Sequence, residues 1–224
     1  MKKTFIFLII CILSYLTVNS QSTDFGGILA VEIEKDLNKY FEISFEEEIK
    51  FNHCLTQYDR FKSAINVNYH FLNEHFKAGI SFEYINKMTD NRVFQNRYRI
   101  NIALGYYEKI RQFRFNYRIK FQNTFKDELR GEYRINPEMY LRNKAEVGYL
   151  FINKPIKLTL STEFFWRINH PEKNIIDNIR TIVAIDYRLK KQHSLTFFVR
   201  ADNEVQVNNP ENTFYLGIIY KLKP

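Results

Sequence analysis

From end to end the chain alternates apolar and polar residues with a period of two. The pattern is clearest between Arg97 and Gln122. Tyr98, Ile100, Ile102, Leu104 and Tyr106 alternate with Arg99, Asn101, Ala103 and Gly105; Phe113, Phe115, Tyr117, Ile119 and Phe121 alternate with Arg114, Asn116, Arg118 and Lys120. A side-chain period of two describes a strand with one apolar and one polar face. The two runs meet around Glu108-Lys109-Ile110, which predicts a β-hairpin turning there. Similar runs begin near Phe25, Phe41, Phe61, Phe76, Leu141, Leu158, Ile179, Leu195 and Phe214. Tight turns are expected near 38, 73, 109, 154 and 191, with looser connections between them, notably 52–58 and 123–137. Helix-period segments are absent.

Runs of ten or more residues exceed the ~5–6 of ordinary soluble strands and match the ~9–11 of a tilted membrane-crossing strand. The pattern therefore predicts an all-β protein: a single up-and-down antiparallel transmembrane β-barrel of about 10–12 strands, with short periplasmic turns and longer outer loops. Two details put lipid outside and charge inside. Aromatics gather at both ends of the apolar stripes, with Tyr69, Phe76, Tyr106, Phe113, Tyr149, Tyr187 and Tyr220 toward the tight turns. Phe61, Tyr84, Phe94, Phe121, Phe164 and Trp166 lie toward the loops. Such pairs of girdles mark membrane interfaces. Gly79, Gly105, Gly148 and Gly217 all take the polar parity, as a narrow lumen crowded with long side chains would require. About eleven runs are counted, whereas single-chain bacterial barrels have even numbers. Either a strand is split or missed around 123–140, or the first run is not an ordinary wall strand.

The first twenty residues read as a secretory signal peptide: Lys2 and Lys3, an apolar stretch from Phe5 to Leu16, then Val18-Asn19-Ser20 before Gln21. The apolar stretch is short for a membrane helix of ~20 residues, which weakens the alternative of an uncleaved anchor. Cys11 lies inside that stretch after Ile10 and does not fit lipoprotein processing. The division is thus 1–20 signal peptide and 21–224 barrel, exported to the outer membrane of a Gram-negative cell. Cleavage leaves Cys54 as the one cysteine and excludes an internal disulfide. The formal charge of +8, lowered by two when Lys2 and Lys3 leave, is spread along the strands. In an exported chain this excess faces lipid phosphates or lumen carboxylates, not nucleic acid.

The polar parity supplies the candidate binding or pore-lining set: Glu46, Glu48, Arg97, Arg99, Arg114, Arg118, Arg142, Glu146, Glu163, Arg167, Arg180, Asp186 and Arg200. Such charges can neutralise one another and plug the barrel, or leave a positive wall that favours small anionic solutes. Catalysis would need a nucleophile and a base in hydrogen-bond reach. His193-Ser194 is the adjacent pair on offer, but neighbours in a strand point to opposite faces. His53-Cys54 lies in a loop, as does His170; His70 and His75 flank a turn. No metal spacing or phosphate loop is found. The expectation is a non-catalytic barrel with no cofactor, serving structure, a narrow pore or small-ligand binding, with outer-membrane lipid as its partner. The alternatives are a phospholipase- or deacylase-like membrane enzyme and a soluble periplasmic β-barrel.

The segments DFGGILAVEIEKDLNKYFEISFEEEIKFN, NRYRINIALGYYEKIRQFRFNYRIKFQNTFKD and NPENTFYLGIIYKL, in this order and spacing, resemble the DUF2490 family. That resemblance implies an outer-membrane β-barrel without assigned function, and it carries no catalytic residues over. The chain departs by ending Lys221-Leu222-Lys223-Pro224, where an outer-membrane strand would be expected to finish on an aromatic.

Overall fold

The computed structural model describes residues 22–72, 75–89, 92–127 and 136–224, Ser22 by its backbone alone. The signal-peptide reading, the turn at Asn73-Glu74 and part of the 123–137 connection lie outside the described residues. Eleven strands follow one another: β1 (Ser22–Asp36), β2 (Phe41–Asn52), β3 (Gln57–Phe71), β4 (Phe76–Met88), β5 (Phe94–Ile110), β6 (Phe113–Lys126), β7 (Glu138–Leu150), β8 (Ile156–Arg167), β9 (Ile175–Lys190), β10 (His193–Glu204) and β11 (Glu211–Leu222). Each pairs with its sequence neighbours, and β1 closes on β11, so the sheet is a barrel without free edges. Closure satisfies the backbone donors and acceptors that an open edge would leave bare. A strand of twelve residues such as β2, tilted by ~40°, spans roughly 30 Å along the axis.

The odd count resolves the parity question. Strand direction alternates, so β1 and β11 run the same way and pair in parallel from Ser22↔Glu211 to Ile33↔Leu222. The other pairings are antiparallel, so the expected barrel of about 10–12 antiparallel strands is what forms, and this one parallel seam is where it departs from the even-numbered pattern. Face parity survives it: Leu29 stands beside Ile218 and Val31 beside Tyr220, all on the outer surface. The first run is a full wall strand, and what is unusual is its direction relative to its last neighbour.

Turn positions also shift. β5 runs to Ile110, so the hairpin turns at Arg111-Gln112 with Arg111 at φ 54°, not at 108–110. β6 continues to Lys126, so the strand takes in residues the alternation left irregular. The loop 53–56 is no longer than the turns at 37–40 and 151–155. Among the described connections, the contrast between short turns and longer loops rests on 168–174 and 205–210.

The outer surface is apolar: Leu29, Ile65, Ile80, Ile102, Leu160 and Leu216 are each about half exposed or more. Rings link strand to strand at the tight-turn end. Phe41 lies 5.0 Å from Tyr69, Phe71 5.6 Å from Phe76, and Phe76 5.2 Å from Tyr106. At the other end Tyr58 meets Phe94 at 5.9 Å and Tyr84 meets Tyr98 at 5.7 Å. The buried residues point inward and are largely polar, among them Glu83, Asn101, Gln122, Arg142, Glu163 and Arg200. The inside-out distribution read from the alternation is what the fold displays. Gly217 permits one close approach, because a Cβ there would stand 2.0 Å from the Phe198 ring.

Candidate functional site: a lumen of paired charges

All thirteen charged residues read from the polar parity lie on inward-facing positions of the barrel wall. Their partners come mostly from adjacent strands. Arg142 on β7 grips Glu163 on β8 at 2.6 Å, and Arg118 on β6 reaches over β7 to the same carboxylate at 2.8 Å. Arg99 pairs with Glu83 at 2.8 Å. Arg180 and Arg200 both hold Asp202, and each guanidinium lies near a ring, Phe165 for Arg180 and Tyr215 for Arg200. Lys62 bridges Glu46 at 2.8 Å and Glu48 at 3.3 Å. Glu146 pairs with Lys144, Asp186 with Lys157 and Arg167 with Glu138. Arg97 donates to Gln95, and Arg114 donates to the carbonyls of Arg111 and Phe113.

Several partners were absent from the sequence-derived set. Glu83 and Lys62 could have been added by the same parity argument. Asp59, which pairs with the buried Lys50 at 3.4 Å, could not. It lies where a bulge between Lys50 and Phe51 shifts the β2–β3 register, and a bulge leaves no signature in the alternation.

Polar cavities lie toward both ends of the lumen. One of about 240 Å³ opens toward the tight turns, with Glu34, Glu42, Lys77, Asn101, Arg118 and Lys120 among its walls. The other, about 360 Å³, opens toward the loops and includes Arg97, Arg99, Tyr140, Arg180, Arg200 and Asp202. They share no lining residue. Between them in height stand Glu46, Glu48, Lys62, Glu83, Arg142 and Glu163. Glu83, Arg142 and Glu163 are less than a tenth exposed, while Glu46, Glu48 and Lys62 keep part of their surface, so this layer is a crowded septum of paired charges between the two cavities.

The neighbours His193 and Ser194 diverge. His193 Nδ1 lies 2.6 Å from the Tyr220 hydroxyl, on the face opposite Ser194. His53 faces Asp24 at 3.7 Å, while exposed Cys54 anchors its amide on the Phe25 carbonyl. Glu34, Asp36 and Glu42 bring carboxylate oxygens within 4.8 Å of one another at the tight-turn mouth. Lysines already take them: Lys221 and Lys223 hold Glu34, Lys223 holds Asp36, and Lys77 holds Glu42. Burial would lower the Lys223 ammonium, but hydrogen bonds from it to Glu34 and Asp36 prevail and raise it to about 12.

With this architecture in view, comparison with known proteins becomes informative. A family model described as a protein of unknown function, DUF2490, matches residues 25–213. The chain belongs to the DUF2490 family. A search of curated proteins returned no match. Among solved structures the chain is similar to the NanC porin in a rhombohedral crystal form, with 13% identity and a TM-score of 0.51 over 80% of this chain and 86% of that one. At that identity the likeness concerns the fold: this DUF2490 barrel is built like a porin.

Proposed function

We propose that this DUF2490 protein is a non-catalytic outer-membrane barrel whose lumen is a charge-lined space closed at mid-height, taking up small solutes and not acting as an open diffusion pore. The observation that carries this reading is the septum. In a water-filled channel, long charged side chains line a continuous path. Here the buried pair Arg142–Glu163 and the part-exposed cluster Lys62–Glu46/Glu48 stand between two vestibules that share no lining residue. A porin-like fold and an apolar outer surface bounded by rings support the outer-membrane location. On that reading the tight turns face the periplasm and the loop end faces outward.

Planar-bilayer recording tests the closed lumen. Reconstituted wild type should show no steady porin-sized current. The double variant Arg142→Ala with Glu163→Ala, which removes both members of the buried pair and leaves Arg118 without its carboxylate, should conduct. A large steady current through wild type, unchanged in the double variant, would overturn the reading.

A further inference from the structure

Resting on that reading, we infer that the tight-turn vestibule holds a binding site for a small oxyanion, of carboxylate or phosphate size, centred on Lys120. The argument starts from how the lumen lysines are neutralised. Lys50, Lys62, Lys77, Lys144, Lys157 and Lys221 each hold a carboxylate within ion-pair distance. Lys120 has no ion pair and no hydrogen bond among the described residues. Its surroundings make that more costly. Arg118 precedes it by two on the same inward face of β6, and Arg142 stands directly across on β7. The acids that could have served it are engaged: Glu163 by Arg118 and Arg142, and Glu83 by Arg99 and Asn101. An uncompensated ammonium between two guanidiniums destabilises a fold unless something negative joins it or it gives up its proton.

The space beside it is suited to such a group. Lys120 and Arg118 line the 240 Å³ cavity together with neutral donors such as Ser44, Asn66 and Tyr107. A cavity of about 240 Å³ has room for a small hydrated oxyanion. Donor capacity is also left unused beside it: the Arg118 Nε–H is buried without a partner. The cavity's other cations, Lys77 and Lys221, are already tied to Glu42, Glu32 and Glu34, so the unneutralised charge is concentrated at Lys120.

Calorimetric titration of the refolded full barrel in detergent with sodium phosphate, and in a second arm with sodium acetate, tests the inference. Wild type should bind at least one of the two saturably, and the comparison of arms assigns phosphate or carboxylate chemistry. Lys120→Met should weaken binding roughly tenfold or more, the share of one charged hydrogen bond. Lys120→Arg should retain it, and Lys109→Met, which removes the same charge at the exposed end of β5, should leave it within about twofold. Lys120→Met removes an uncompensated cation and should fold, and Lys120→Arg keeps the test open if it does not. Absence of saturable binding in both arms, or equal binding by Lys120→Met, would overturn the site. The bilayer recording is independent: a closed wild type that binds neither anion refutes this site alone, whereas an open one refutes the closed lumen.

Discussion

The lumen has two unlike walls. On β1 and β2 the inward positions carry Glu32, Glu34, Glu42, Glu46 and Glu48, with no cation until Lys50. On β6 and β7 they carry Arg114, Arg118, Lys120, Lys126, Arg142 and Lys144 against only Glu138 and Glu146. The acidic wall is neutralised from its neighbours: Lys62 on β3, Lys77 on β4 and Lys221 on β11 each reach its carboxylates. The basic wall has fewer acids to draw on, so Glu163 serves two arginines and Lys120 has none. The difference matters because the two walls respond differently to a lost partner. A glutamate can take up a proton and become neutral, whereas a guanidinium cannot lose one.

Breaking the basic wall should therefore cost most. Glu163→Gln keeps the shape but strands Arg142, which is 7% exposed, together with Arg118. It should destabilise the barrel by about 3–5 kcal/mol, read as a lowered urea midpoint for unfolding from lipid vesicles. The matching cut in the acidic wall, Lys62→Met, should cost about 1–3 kcal/mol by the same measurement, because Glu46 and Glu48 can protonate. Its loss should also shrink as pH is lowered through the carboxylate range. That of Glu163→Gln should not shrink. Equal costs at neutral pH would remove the distinction between the walls. The smallest effect, with the opposite sign, belongs to Lys120→Met. Relieving repulsion from Arg118 and Arg142 should raise stability by up to about 1 kcal/mol in anion-free buffer.

Much of this was legible in the alternation. A period of two assigns every residue of a strand to one of two faces, so inward Arg118 and outward Tyr117 were separated without coordinates. The meander required only that successive strands be neighbours, as they are from β1 to β11. What escaped has physical reasons. The parallel seam depends on how β1 meets β11, almost two hundred residues apart in the chain, and no local pattern encodes it. The turn at Arg111-Gln112 was placed early because Glu108 interrupts the apolar parity, yet it remains in β5, with Tyr106 donating to it at 2.7 Å. Parity assigned charges to the lumen but could not choose their partners. Which acid meets which base depends on cross-strand register, and the bulges at Lys50/Phe51 and Phe165/Trp166 shift that register without altering composition. The septum and the isolated Lys120 are consequences of register, and neither could be read one strand at a time.

Everything above depends on what bathes the outer surface. Trp166 is the chain's single tryptophan, and it lies on the outer face of β8 near the loop end, 40% exposed. Its fluorescence should be quenched strongly by phospholipids brominated on the acyl chains near the headgroup, less by those brominated near the bilayer centre, and weakly by aqueous iodide. Strong quenching by iodide together with indifference to brominated lipid would place Trp166 in water and contradict the membrane barrel.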